Sequence, residues 1–330
     1  MSWTEVPRIG MLGHGAIGAL HAEAFRSVGC QLVTVMGPDL NEAGQFARDQ
    51  GFARHTDRVE DVVEAADIDA VVIASPNAAH AAQAIAALRG GKHVLCEVPV
   101  GLSLDDVLAV QAESERLICM VCHTQRFLPS IVQLRRRIEH GQLELLSLST
   151  VMAMYRRENV GWTGRRRAWD DHLVWHHGTH AIDSALWLLG DEPVAVQAAS
   201  GRPHPETGAP MDVAITITTR TGRLATLSLS YNAMTSVNDV LLIGQSETLR
   251  VRDWQLQGDN GEGGHESPDD QLTSAVHAQA HAFVRAIHGE QPALPSIDDV
   301  LPIYRCVQRV EDEIALQRSR PTPALNRKES

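Results

Sequence analysis

Four histidines stand close together near the middle of the chain: His172, His176, His177 and His180. An imidazole gains and loses a proton near neutral pH, so it can take the proton of a substrate hydroxyl group during an oxidation. Residues four apart share one helix face, which predicts that His172, His176 and His180 point into one pocket. This spacing also occurs in zinc sites, but the carboxylates at 170, 171 and 183 are equally explained as caps or hydrogen-bond partners, and we expect no metal.

A glycine-rich turn near the start of the chain has the pattern of a dinucleotide site. Gly13, Gly15 and Gly18 follow a short apolar run, 8–12, and precede an alanine-rich amphipathic stretch that reaches Val28. The first glycine permits a tight turn, the second lets the backbone approach a pyrophosphate, and the third allows close packing of helix on strand. The predicted contacts to the dinucleotide are Gly13, His14, Gly15, Ala16, Ile17 and Gly18.

The end of the second predicted strand leaves the choice of cofactor open. Enzymes that use NAD usually carry an acidic residue here for the ribose hydroxyls, whereas those that use NADP place an arginine nearby for the 2′-phosphate. This strand is followed by Gly37, Pro38 and Asp39, with no arginine adjacent. Asp39 stands later than expected and also suits the cap of the next helix. We expect Gly37 to lie beside the cofactor, which is NADP or NAD.

The order of the predicted strands and helices that must position these residues changes after residue 124. Up to that point short apolar strands alternate with helices, which predicts parallel βαβ units in a doubly wound sheet. Beyond it several strand candidates follow one another without helices between them, which predicts a mostly antiparallel sheet. We expect an α/β protein with an N-terminal Rossmann domain, 1–124, and a C-terminal α+β domain, 125–330, whose last helices are free to pack back on the first. The second domain is expected to bind substrate and to join a homodimer or homotetramer through its sheet.

The composition narrows the classes of partner and compartment. The chain has 330 residues, of which 29 are Lys or Arg and 41 are Asp or Glu, so its net charge is −12. That acidity argues against nucleic acids and anionic membranes as partners. No apolar run is long enough to span a membrane and no secretory signal is visible, so a cytoplasmic location is expected. Cys119 and Cys122 fall on opposite faces of an apolar strand, which favours buried thiols over a redox pair.

Two further motifs carry a resemblance to a known family. Ser75-Pro76-Asn77-x-x-His80 follows one buried strand, and Glu97-Val98-Pro99 follows the next. With these motifs in place, the chain resembles the glucose–fructose oxidoreductase / inositol dehydrogenase (Gfo/Idh/MocA) family over nearly its whole length. The resemblance implies a set of residues beside the cofactor: Ser75, Pro76, Asn77, His80, Glu97 and Val98.

The chain departs from that family at two positions of the reacting centre. In the family's Glu-Lys-Pro motif the lysine contacts the cofactor ribose and helps catalysis, and here that position is Val98. The family's Asp-x-x-x-His helix keeps its general base as His180, but the aspartate position holds His176. The resemblance therefore implies that His180 is the base, with His176 and His177 beside it, in a specialised branch.

Longer stretches resemble one such branch, which oxidises the cyclic hemiacetal of a dicarboxylate semialdehyde to 2-pyrone-4,6-dicarboxylate in the protocatechuate 4,5-cleavage route. These stretches are 119–127, 167–177, 204–206 and 227–232. Guanidinium groups bind carboxylates through two hydrogen bonds, so arginines are the natural clamp for such a substrate. The expected substrate contacts are Arg126, Arg156, Arg157, Arg167, His123, His172 and Trp175.

Two other functions stay open at this stage. One is a related dehydrogenase acting on a sugar, an inositol or a hydroxy acid, against which Val98 and His176 argue. The other is a dinucleotide-binding sensor without turnover. The missing lysine permits a sensor, whereas the retained His180 and the pocket rich in arginine and histidine argue against it.

Overall fold

The computed structural model describes residues 6–158, 172–205, 207–257 and 267–319. Within them the chain forms a parallel sheet of six strands and a mixed sheet of seven, with helices packed on both. No helix in these ranges is long and apolar enough to cross a membrane.

The first sheet is the doubly wound one that the sequence predicts. Its strands are β1 (Arg8–Leu12), β2 (Gln31–Met36), β3 (Arg54–Thr56), β4 (Ala70–Ile73), β5 (His93–Cys96) and β6 (Cys119–Val121). Its helices are α1 (Ala16–Ser27), α2 (Leu40–Gln50), α3 (Glu60–Val63), α4 (His80–Arg89) and α5 (Leu104–Glu113). The central strands are short runs of buried apolar residues, because helices cover both faces. The strand order, β3-β2-β1-β4-β5-β6, reverses between β1 and β4, and Rossmann folds bind dinucleotides at such a reversal.

The second sheet follows the first along the chain and has seven strands. Its strands are β7 (Leu145–Tyr155), β8 (Pro193–Ser200), β9 (Asp212–Thr219), β10 (Leu224–Ser230), β11 (Asn232–Gly244), β12 (Thr248–Arg252) and β13 (Gln255–Gln257). The order is β13-β12-β11-β7-β10-β9-β8, and every pair is antiparallel except β7 with β10. Two helices, α6 (Pro129–Glu139) and α7 (Thr179–Leu189), lie near its covered face. The fold class expected from the sequence is confirmed.

The last two helices return to the first sheet. In α8 (Pro268–Ile287), Phe283 meets Phe25 of α1 edge to face, with ring centroids 6.0 Å apart and both side chains fully buried. In α9 (Ile297–Ser319), the hydroxyl of Tyr304 accepts a hydrogen bond from the backbone N–H of Val100 at 2.8 Å. A boundary at residue 124 therefore separates the strands of the two sheets along the chain. It does not separate two independent cores, because the C-terminal helices share the core of the N-terminal sheet.

The histidine segment differs from the predicted regular helix. A π-helical turn occupies Val174–Gly178, and the α-helix begins only at Thr179. A π turn carries an extra residue per turn and rotates the side chains that precede it relative to the following α-helix. His172 and His176 consequently do not keep the α-helical spacing to His180 that the sequence suggested.

Candidate active site

The glycine turn after β1 forms a cradle made of backbone. Gly13 has φ +109°, and a Cβ there would lie 2.3 Å from the carbonyl oxygen of Ala74, so only glycine fits. A Cβ on Gly15 would meet nothing within 4 Å, which leaves open space above the turn. No side chain caps α1, which starts at Ala16, so its first N–H groups face that space. Open N–H donors over an uncrowded glycine fit the pyrophosphate of a dinucleotide.

The turn after β4 contributes a buried donor. The side chain of Asn77 is 7% exposed, and its Nδ2 has no hydrogen-bond partner among the described residues. Ser75 in the same turn donates its hydroxyl hydrogen to Oε1 of Gln83 at 2.6 Å, which holds the turn against α4. A buried amide without a partner costs free energy, so Asn77 is suited to bond a ligand that enters the crevice.

His80 lies beneath this turn instead of facing the crevice, which differs from the contact to the cofactor that we expected. Its side chain is buried, with Nδ1 2.7 Å from the carbonyl oxygen of Pro99 and Nε2 2.7 Å from that of Ser75. Burial lowers the pKa of His80. The imidazole thus connects the segments that follow β4 and β5.

Glu97 and Val98 stand at the carboxyl end of β5. The carboxylate of Glu97 lies 2.6 Å from Nε2 of His21, a buried residue of α1. Burial raises the pKa of Glu97, but the hydrogen bond from His21 outweighs this and the net shift is downward. Val98 is 3% exposed and brings no charge to the crevice. The carboxylate of Glu97 is thus the ionised group that this segment provides.

Three imidazoles gather where the π turn meets α7. The ring centroids of His176 and His177 are 4.2 Å apart, and His180 lies 6.0 Å from the first and 6.4 Å from the second. The ring of His123, which follows β6, is 6.2 Å from His180. The π turn thus brings both of the preceding histidines to one side of His180.

Tyr231 connects this cluster to the second sheet. Its hydroxyl lies 2.6 Å from Nδ1 of His177, and the tyrosine itself is buried. The guanidinium carbon of Arg156 lies 5.7 Å from the centroid of the Tyr231 ring, within range of a cation–π contact. Arg156 and His177 therefore share Tyr231 as a partner. Among the described arginines that we expected to bind the substrate, Arg156 is the one linked to the histidine cluster in this way.

A buried ion pair stands behind His180. Asp183 receives bonds from Nε of Arg126 at 3.0 Å and from its Nη2 at 2.5 Å, while Nδ1 of His123 lies 3.2 Å from the same carboxylate. Burial alone raises the pKa of Asp183, but His123 and Arg126 outweigh it and hold that pKa far below its usual range. Arg126 and His123 both contact the buried Asp183, which differs from the substrate contacts that we expected of them.

Three of the other expected substrate contacts have partners within the protein. Trp175 is 5% exposed and stacks on Tyr304, so it belongs to the hydrophobic core. His172 faces Glu311 of α9, with Nδ1 3.6 Å from the carboxylate. Arg157 is exposed and donates to Oδ1 of Asn232 at 2.9 Å. Arg167 falls outside the described residues.

The electrostatic setting of His180 differs from that of a free imidazole. Burial, with the added effect of His176 and His123, lowers the pKa of His180 to about 3. The carboxylates of Glu97 and Asp183 act in the opposite direction, because negative charge favours the imidazolium. His180 is therefore neutral at physiological pH and able to accept a proton, and the two carboxylates stabilise the cation that results.

Three residues of this arrangement were missed by sequence reasoning as functional groups: His21, Asp183 and Tyr231. A signal existed for His21, which stands three residues after Gly18 on the face of α1 that is otherwise apolar. Asp183 stands three residues after His180, one turn along the same helix. Tyr231 lies within the stretch 227–232 that carries the resemblance, but its contact with His177, 54 residues away, was not predictable from that stretch.

Comparisons with known proteins place both parts of the chain among oxidoreductases. Residues 7–124 match the oxidoreductase family with an NAD-binding Rossmann fold, and residues 129–261 match the C-terminal domain of bacterial oxidoreductases. The 4-carboxy-2-hydroxymuconate-6-semialdehyde dehydrogenase of Sphingobium sp. is 32% identical over 319 residues, which cover 94% of this chain and 99% of that enzyme. Inositol 2-dehydrogenase 4 of Saccharopolyspora erythraea is 32% identical over 235 residues, 68% of this chain and 67% of that enzyme.

The solved structures agree at the level of the fold. A levoglucosan dehydrogenase in complex with NADH superposes with a TM-score of 0.83 at 20% identity, covering 95% of this chain and 98% of that one. Together with the sequence matches, this confirms the resemblance on which the expected fold and cofactor rested.

Proposed function

We propose a substrate for this chain, which belongs to the Gfo/Idh/MocA family of NAD(P)-dependent oxidoreductases. The proposed reaction oxidises the cyclic hemiacetal of 4-carboxy-2-hydroxymuconate-6-semialdehyde to 2-pyrone-4,6-dicarboxylate. One observation carries the proposal: three imidazoles gather beside Tyr231 and Arg156, at a centre where the family's catalytic lysine is Val98. The similarity to the Sphingobium enzyme over nearly the whole chain supports the same substrate.

The chemistry needs a hydride acceptor and a base. The hemiacetal carbon loses a hydride and its hydroxyl group loses a proton, so that the ring C–OH becomes the carbonyl of a lactone. The nicotinamide ring, when bound, accepts the hydride. The neutral imidazole of His180 takes the hydroxyl proton. The carboxylates of Glu97 and Asp183 then stabilise the imidazolium.

His177 and Tyr231 orient the cluster. The 2.6 Å contact between the Tyr231 hydroxyl and Nδ1 of His177 fixes the plane of that ring. In this proposal His177 contacts a substrate oxygen, in a role for which related enzymes use a lysine. The ring of His176 lies beside those of His177 and His180. In this proposal the three imidazoles together line the side of the site that faces an anionic substrate.

Arg156 is the proposed carboxylate clamp within the described residues. Its guanidinium lies over the ring of Tyr231, and its backbone N–H donates to the Tyr231 carbonyl at 2.8 Å, which keeps it next to the histidines. Arg157 stands one residue further, at the exposed rim, where it is suited to attract a dianion. Arg167 remains a proposed second clamp from the sequence alone.

The test is a direct assay with matched substrates. The semialdehyde, prepared enzymatically, is mixed with the protein and either NAD⁺ or NADP⁺, and reduction is followed at 340 nm while the pyrone is identified by mass spectrometry. We expect kcat/KM for the semialdehyde to exceed that for myo-inositol by at least about 100-fold, because inositol has no carboxylates for Arg156. An equal or higher kcat/KM with inositol would instead indicate that the chain is a sugar dehydrogenase. Cofactor binding without turnover of either substrate would favour a sensor.

We further propose that two copies associate through the open face of the second sheet. The apolar side chains of Val151, Leu224 and Leu241 are 38–42% exposed on the neighbouring strands β7, β10 and β11. Large apolar side chains exposed together on one open sheet face are typical of an interface. Light scattering should give the mass of a dimer or tetramer, and the monomer mass at micromolar concentration would contradict this.

A further inference from the structure

The carboxyl end of β2 lacks a side chain where a Rossmann fold ordinarily needs one. Gly37 is buried, and its backbone N–H donates to the carbonyl of Thr56 at 3.0 Å. Its φ is not in the left-handed region, so the backbone would accept any residue. The reason for glycine is space, because a Cβ at position 37 would lie 2.2 Å from Nδ1 of His14.

The imidazole of His14 fills the place that a side chain at position 37 would take. Its ring lies flush against Gly37, edge to face with Phe46 at 6.3 Å, and its side chain is 16% exposed. Nε2 lies 3.3 Å from the carboxylate of Glu42 in α2. A ring held on three sides is positioned before any ligand arrives.

Asp39 does not replace the missing carboxylate. Its Oδ1 accepts the backbone N–H groups of Asn41 at 2.8 Å and Glu42 at 3.0 Å, so it caps α2. The acidic group that selects NAD by bonding the ribose hydroxyls and repelling a 2′-phosphate is thus replaced by an imidazole. An imidazole can donate a hydrogen bond to a phosphate, which a carboxylate cannot do.

We propose that His14 is the residue that decides specificity at the 2′ position of the cofactor, and that it donates to a 2′-phosphate so that NADP binds more tightly than NAD. Glu42 is the opposing group, since its carboxylate competes with a phosphate for the same Nε2. Arg58, which follows β3, adds no net charge here, because its Nε lies 3.8 Å from the carboxylates of both Glu60 and Asp61. The proposal rests on dinucleotide binding and not on the substrate that is oxidised.

The experiment uses two ligands that differ only in the group under test, adenosine 5′-phosphate and adenosine 2′,5′-bisphosphate. Calorimetry at one fixed ionic strength gives both dissociation constants without any turnover. We expect the wild-type protein to bind the bisphosphate at least about 10-fold more tightly. His14→Ala should weaken bisphosphate binding about 10-fold or more, the size of one hydrogen bond to a charged group, and change binding of the monophosphate less than about 3-fold.

Three further variants sharpen the result. Glu42→Gln should tighten bisphosphate binding, because the competing charge is gone. The double variant His14→Ala/Gly37→Asp restores a carboxylate where there is now room for it, and should reverse the preference toward the monophosphate. His140→Ala, an exposed histidine at the end of α6, is the control and should leave both constants unchanged.

Two outcomes would overturn the proposal. One is a wild-type protein that prefers the monophosphate. The other is a His14→Ala variant that loses both ligands equally while its melting temperature is unchanged. Neither outcome touches the proposed oxidation, which the assay with the semialdehyde tests separately.

Discussion

The two regions of the candidate site, the glycine turn after β1 and the histidine cluster at the π turn, are built from different chemical groups. At the nucleotide end the backbone of one short turn, Gly13 to Gly18, provides the donors and the space, and its immediate neighbours along the chain set its shape. At the proposed substrate end the groups are side chains from the segment after β6, the π turn, α7 and the second sheet. The first end depends on conformation over a few residues, whereas the second depends on the packing of separate elements.

This difference explains which features tolerate variation. A backbone cradle can be changed only by crowding it, since every residue offers the same N–H group. A side-chain cluster can exchange its chemistry while the fold stays the same, as this chain does with Val98 and His176. Family members can therefore share one cofactor site and act on different substrates.

The largest expected effect separates two glycines of the same turn. Gly13→Ala should lower the free energy of unfolding by about 5 kcal/mol, because the new Cβ meets backbone 2.3 Å away at φ +109°. Gly15→Ala should change it by less than about 0.5 kcal/mol, since nothing lies within 4 Å. The alanine at 15 should instead weaken dinucleotide binding. Urea unfolding and fluorescence titration measure the two properties, and similar stability losses for both variants would contradict the cradle.

The next effect concerns the buried ion pair at the substrate end. Asp183→Ala leaves Arg126 charged and without its carboxylate in the interior, which should cost about 3–5 kcal/mol of unfolding free energy. Glu139→Ala breaks the surface pair with Arg135 and is the matched control, expected to cost less than about 1 kcal/mol. A loss for Asp183→Ala as small as that of the control would show that the ion pair does not organise this end.

The third effect is on rate. His180→Asn should lower kcat about 100-fold or more while dinucleotide affinity stays within about 2-fold, because the base is lost and the backbone cradle is not. His172→Asn is the control from the same segment, and its contact with Glu311 predicts a change below about 3-fold. Near-normal turnover of the His180 variant would remove the assignment of the base.

The pH profile tests the same residue. Because the pKa of His180 is lowered to about 3, the base stays unprotonated as the pH falls through the range where a free imidazole gains its proton. Activity is present above the pKa of a base and lost below it, so kcat/KM should stay flat from pH 8 down to about pH 5. An acid limb near pH 6.5 that disappears in His180→Asn would show that burial does not control its protonation.

The smallest effect is on orientation. Tyr231→Phe removes the 2.6 Å hydrogen bond to His177 and should lower kcat about 5-fold, equivalent to about 1 kcal/mol, with little change in KM. The phenylalanine keeps the ring beneath Arg156, so clamping of the carboxylate is retained. A rise in KM with constant kcat would instead place the Tyr231 hydroxyl on the bound substrate.

The sequence by itself determined the first sheet, the glycine turn and the family. Each is written in neighbouring residues: apolar runs of strand length, helices between them, and Gly13, Gly15 and Gly18 at the turn. The departures at Val98 and His176 were readable too, because they fall inside short motifs. His180 was predicted as the base for the same reason, and that role stays a prediction.

Only the tertiary structure decided which charges remain available in the site. Arg126 looked like a substrate clamp until Asp183, 57 residues away, proved to hold it. His80, Trp175 and His172 also bond or stack within the protein. The ring of His14 against Gly37 was equally invisible, because it joins the first strand's turn to the second. The type of a side chain can be read from its position in the sequence. Whether its polar atoms are already bonded depends on which residues the fold brings next to it, and those residues stand far away along the chain.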